Sequence, residues 1–163
     1  MKYKLTDVKI NFMGKTLFQI EAMKCFGNIV KGQKGGFIEK ESNLSQGGDA
    51  WVSGDAKVYG DAKVDGDAWV SGNAKVYGDA WVCGNAKVSG DADYLVIGPI
   101  GSRNDITTFF KTANNDIKVS CGCFTGNIEE FLEKVNETHG NNNYAKEYKT
   151  AVEIAKIHIF GGE

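Results

Sequence analysis

Three groups of residues in this chain carry the types that do chemistry: Cys121-Gly122-Cys123, the two histidines His139 and His158, and the run Gly98-Pro99-Ile100-Gly101-Ser102-Arg103-Asn104. A thiol pair with an imidazole is the material of a metal site. The C-x-C spacing is short for a zinc knuckle, and no second pair completes one. Nor does it make the C-x-x-C of a redox dithiol. Cysteines two apart on a strand face the same way as Ile117 and Val119, so Cys121 and Cys123 are expected as buried thiols in an apolar core. The third group combines glycines, a hydroxyl, an amide and a guanidinium. Such a loop can offer backbone N–H groups and an arginine fork to a phosphate, although no Lys-Ser/Thr pair makes it a P-loop. Ser102, Arg103 and Asn104 are the candidate ligand residues. The competing reading is a glycine-rich hairpin turn.

The elements that would position these residues begin with a repeat. Val52, Val58, Val64, Val70, Val76, Val82 and Val88 stand six apart, with alanine four residues after each, from Ala56 to Ala92. Gly followed by Asp or Asn lies between them, a pairing that ruins a helix and suits a left-handed corner. Each unit therefore reads as a short strand, valine inward and its neighbours outward, followed by a turn. A longer period lies on top: WVSGDAKVYGDAKVDGDA (51–68) and WVSGNAKVYGDAWVCGNA (69–86) agree at fourteen of eighteen positions. Three units make one circuit, and residues eighteen apart stack, as in a solenoid. Trp51 would then lie over Trp69, Tyr59 over Tyr77, and Ser53 over Ser71 over Ser89.

This pattern resembles the hexapeptide-repeat proteins, which are left-handed parallel β-helices. The likeness extends upstream through residues 17–52, where Val30-Lys31-Gly32, Gly35-Gly36-Phe37-Ile38 and Asn43-Leu44-Ser45-Gln46 are similar to the leading segment of the YdcK-like members. It implies a trimer, and by analogy acyl transfer with a nucleotide-bearing cofactor. Such enzymes take an imidazole base from the repeat, and neither histidine of this chain falls there. The zinc carbonic anhydrases of related fold need three imidazoles on the repeat, which this chain lacks. No cofactor or metal is expected, and no catalytic residue is assigned.

A parallel coil leaves unpaired backbone groups at its ends. Residues 1–47 are expected to cap one end, with a hairpin turning at Met13-Gly14. Residues 48–92 are the repeat. Residues 93–163 read as an α+β module of three strands and two helices that closes the other end. Its first helix opens at a capping box, Asn127 to Glu130, has Ile128, Phe131, Leu132 and Val135 on one face, and stops at Gly140. The second runs from about Tyr144 to His158, with Tyr144, Tyr148, Val152 and Ala155 on one stripe. This module faintly resembles C-terminal modules of uncharacterised phage and prophage proteins.

The 163 residues carry a net charge of −2, so no basic surface marks a nucleic-acid partner. The alternation of charged and apolar residues at the start does not read as a secretion signal, so none is expected, and no run reaches the roughly 20 apolar residues of a membrane helix. Four sparse cysteines fit a reducing compartment. The expectation is a cytoplasmic protein without membrane attachment. The outward ladders place Trp51, Trp69, Trp81, Tyr59 and Tyr77 on the walls, where exposed aromatics mark an interface. The fold class expected is mainly β: a short β-helix, an N-terminal β cap and a C-terminal α+β module. The function expected first is non-enzymatic binding or scaffolding, by self-association or with a host protein. The alternatives are an acyltransferase-like enzyme and a phage-type binder that sequesters a small anionic ligand, such as a nucleotide, from its host.

Overall fold

A computed structural model describes residues 1–161. The chain forms two compact units, Met1–Asp91 and a second that begins at Ala92.

In the first unit the six-residue units become two-residue strands: β4 (Trp51–Val52), β5 (Lys57–Val58), β6 (Lys63–Val64), β7 (Trp69–Val70), β8 (Lys75–Val76), β9 (Trp81–Val82) and β10 (Lys87–Val88), preceded by β1 (Tyr3–Phe12), β2 (Lys15–Ala22) and β3 (Lys34–Ile38). The repeat strands pair in parallel at a spacing of eighteen residues: Trp51 with Trp69, Lys57 with Lys75, Lys63 with Trp81, Trp69 with Lys87. All seven valines are at most 1% exposed and Ala56, Ala68 and Ala74 are wholly buried. The inward stripe is thus a dry core of valine and alanine. Corners require glycine: at Gly72 (φ 60°) an added Cβ would stand 2.4 Å from the Ser89 carbonyl oxygen.

Stacking leaves a rim. Within the ladders Trp51, Lys57, Lys63 and Trp69 donate their N–H groups to the carbonyls of Ala68, Ala74, Ala80 and Ala86, at 2.9–3.0 Å. The alanines of the first circuit have no earlier circuit to receive from. Residues 1–47 supply the missing donors. Phe37 N–H reaches Ala56 O at 3.0 Å, Asn43 Nδ2 reaches Ala62 O at 2.8 Å, and Lys2 Nζ reaches Ala50 O at 2.8 Å. The N-terminal segment therefore caps this end group by group, as an exposed sheet edge demands. It does so partly by extending a ladder: β1 and β2 form the expected hairpin, β2 pairs with β3, and β3 runs parallel to β5. The outer strand β1 is itself broken by a bulge between Leu5 and Lys9, a device that discourages further pairing.

Lys2 is 1% exposed, and burial pushes its ammonium down to about 8, against the pull of Asp49. A lysine whose folded pKa lies below its unfolded value destabilises while charged, and this cost fades as pH climbs from about 8 to 10.5. Stability measured against a Lys2→Met variant should shift in favour of the native chain across that window. A constant difference would show that Lys2 is not desolvated.

In the second unit, β11 (Tyr94–Ile100), β12 (Asp105–Lys111), β13 (Ile117–Cys121) and β14 (Phe124–Asn127) form an antiparallel sheet in sequence order, followed by α1 (Ile128–His139) and α2 (Asn143–Phe160). The sheet has one strand more than expected. Gly122, at φ 58°, and Cys123 form a two-residue hairpin turn, so Phe124–Asn127 folds back beside β13 instead of leading directly to the helix. The capping box at α1 is present: Asn127 Oδ1 accepts from Glu130 N at 2.8 Å, and Gly140 ends the helix. Phe109, Val119, Phe131, Val135, Tyr148 and Val152 form the core between sheet and helices. Of the α2 stripe, Tyr148, Val152 and Ala155 are buried, whereas Tyr144 is 42% exposed. Among the described residues no helix is long and apolar enough to cross a membrane.

Candidate functional site

Two of the three hairpin turns of the second unit, β11–β12 and β13–β14, bring polar residues to one side of α1. The β11–β12 turn closes through Asn104 N donating to Gly101 O at 3.2 Å. Gly101 has φ 76°, and an added Cβ would stand 1.8 Å from the Tyr148 hydroxyl. Its N–H donates to Glu147 Oε2 at 3.1 Å. The turn is thereby fastened to α2, with Ser102 and Arg103 exposed at its tip. From the neighbouring hairpin come Cys121, Gly122, Cys123 and Phe124. The α1 face spaced i, i+3, i+4, i+7, i+8 supplies Phe131, Lys134, Val135, Thr138 and His139.

Ser102 and Arg103, the four β13–β14 hairpin residues, the α1 face, Asp105 and Tyr148 line an open cleft of about 220 Å³. Its floor is apolar and nearly buried: Phe131, Val135 and Tyr148 are 3, 4 and 7% exposed. The rim is charged. Arg103 Nη1 and Asp105 Oδ2 lie 3.6 and 3.7 Å from where a Cβ on Gly122 would stand, and Lys134 comes from α1. Two cations thus face one carboxylate, and the structure shows no ion pair between Arg103 and Asp105. Cys121 is half-buried and accepts a hydrogen bond from Thr107 Oγ1 at 3.3 Å. Burial pushes the Tyr148 phenol up to about 12, and the neighbouring Cys121 acts the same way. Tyr148 therefore stays a neutral donor at any physiological pH.

Members of all three groups line one cleft: Ser102 and Arg103 share it with Cys121, Cys123 and His139. The picture of two buried thiols on one strand is corrected. Cys121 ends β13, whereas Cys123 sits in the turn and is exposed. Asn104 does not line the cleft; its left-handed backbone (φ 50°) shapes the turn instead. His139 ends α1 and stacks on Tyr148 with ring centres 5.9 Å apart, and His158 lies in the last turn of α2. Among the described residues no three His, Cys, Asp or Glu side chains could hold a metal ion. Lys134 and Thr138 escaped the sequence reading, which followed only the apolar members of the α1 face. Their spacing from Phe131 and Val135 carried the signal.

The outward aromatics of the repeat divide. Trp51 is wholly buried, which corrects its expected exposure. It points out of the repeat as the strand alternation requires, but Phe26 covers it edge-on with ring centres 5.4 Å apart, and Gly35 leaves room for its ring. Tyr59 is also covered, 9% exposed, between Phe12 at 5.6 Å and Tyr77 stacked at 5.3 Å. Trp69 and Trp81 are half-buried, and Trp81 Nε1 donates to Asp65 Oδ2 at 2.8 Å. Tyr77 remains open at 52%. No protein-family model matches the chain, and a search of curated proteins finds no significant relative.

Proposed function

We propose that this is a non-enzymatic binding protein: a short left-handed parallel β-helix carries an α+β module that takes a small anionic ligand in its cleft. The parallel ladders with their eighteen-residue register and the valine–alanine core support the β-helix reading. The ligand reading rests on Arg103, a guanidinium held at the tip of a fastened turn, over an apolar floor, with Lys134 opposite. A pocket with an apolar body and a few convergent polar groups is how small-molecule sites are built, and an arginine fork is suited to phosphate or carboxylate. Calorimetric titration of the full chain with nucleotides, coenzyme A and inorganic phosphate tests it. A phosphate-bearing ligand should bind the native protein, and Arg103→Ala should weaken it at least tenfold, the order of one charge-assisted contact. Equal affinity in both proteins refutes the assignment, and coenzyme A binding that survives Arg103→Ala would return the acyl-transfer reading.

Tyr77 favours a second reading beside the first, self-association through the repeat. An exposed ring stacked on a buried one presents a rigid apolar surface of the kind interfaces use. Light scattering of Tyr77→Ala and Trp69→Ala should show a smaller particle than the native chain. An unchanged mass for both variants removes this face from consideration.

A further inference from the structure

Resting on the anion reading of the cleft, we infer that its ligand is a single-ring aromatic anion, an aryl phosphate or aryl carboxylate, held ring inward and charge outward. The rings around the cleft already form a chain. Phe124 meets Phe131 with centres 5.6 Å apart, Phe131 meets Tyr148 edge-on at 5.5 Å, and Tyr148 meets His139 at 5.9 Å. Phe124 and His139 are only half-buried, so both ends of that chain offer ring surface to the cleft. A further ring there gains offset or edge-to-face contacts of the same sort, beyond the area it buries.

The size suits this class. A cavity of roughly 150 Å³ takes one benzene, and about 220 Å³ leaves room for one anionic group besides. Charge sets the direction. Apolar side chains form the floor, whereas Arg103 and Lys134 stand at the mouth with the hydroxyls of Ser102 and Thr138. A fork, a point charge and two hydroxyls are the donors an oxyanion recruits. Asp105 on the same rim offsets one of the two positive charges, and the charge left over from Arg103 and Lys134 still favours an anion.

The test is calorimetry of the full chain with phenyl phosphate, benzoate, inorganic phosphate and benzyl alcohol. The expected order puts phenyl phosphate or benzoate at least tenfold tighter than inorganic phosphate and benzyl alcohol. Arg103→Ala should remove that advantage. Phe124→Ala should weaken the aryl anions while leaving inorganic phosphate unchanged, with both variants checked for native melting. Inorganic phosphate binding as tightly as phenyl phosphate overturns the ring and leaves the anion site standing. Nucleotides binding where neither aryl anion does so has the same meaning. Benzyl alcohol binding as tightly as the aryl anions, or no probe and no nucleotide binding at all, overturns the anion site as well.

Discussion

Asn43→Ala should lower the stability of the first unit by about 3–5 kcal/mol, at a cost of roughly 1–3 kcal/mol for each buried group left unpaired. Asn43 is wholly buried. Its Nδ2 donates to Gly60 O at 3.1 Å and Ala62 O at 2.8 Å, and its Oδ1 accepts from Lys40 N at 2.9 Å. One amide thus serves two carbonyls of the first circuit and closes the short turn that presents it. Alanine would leave all three partners without it in a place water reaches poorly. Asn43→Asp is the sharper variant. It keeps the shape and the acceptor, but replaces the donor by an oxygen facing two carbonyl oxygens, so it should destabilise more than alanine does. Denaturant unfolding checks both. If Asn43→Asp matches the native midpoint, the rim-capping account of residues 1–47 is wrong.

Gly101→Ala should be the most damaging single-methyl change in the second unit. Two penalties add: an alanine held at φ 76°, worth about 1 kcal/mol, and a methyl driven into the Tyr148 hydroxyl, worth about 1–3 kcal/mol as overpacking. The turn must move, and Arg103 moves with it. The expected result is a loss of about 3 kcal/mol together with the loss of phosphate-ligand binding. Gly122→Ala is the comparison. It carries a similar backbone penalty at φ 58°, but a Cβ there meets nothing closer than 3.6 Å, so its loss should stay near 1 kcal/mol. Equal losses for the two would mean that Tyr148 does not hold the turn.

The repeat was legible because its information is local. A valine, an alanine and a corner glycine recur in every unit, and each does the same work in its own six residues. Tyr59 and Tyr77 stack where the eighteen-residue period puts them. Trp51 shows where that logic ends: its strand gives its direction, but whether solvent or protein lies there depends on Phe26 and Gly35, far off in sequence. The turn at Gly122-Cys123 was missed for a related reason. Alternation continued smoothly through Cys121 and Cys123, and only the left-handed glycine between them separates a strand from a hairpin. The two helices, with their cap residues Asn127 and Gly140, were readable from local signals alone. The cleft was not, because Arg103, Cys121 and Lys134 meet only after two hairpins and a helix have packed. Arg103 and Cys121 stood out by type but in separate groups, and Lys134 read as an ordinary surface residue of a helix.

The most direct measurement is an amide-resolved NMR titration of the full chain with phenyl phosphate. Shifts should concentrate at Ser102, Arg103, Gly122, Cys123, Lys134 and Thr138, three segments moving together at one ligand concentration. Shifts centred instead on Trp69, Tyr77 or other residues of the repeat, with those six unmoved, would contradict a ligand site in the cleft.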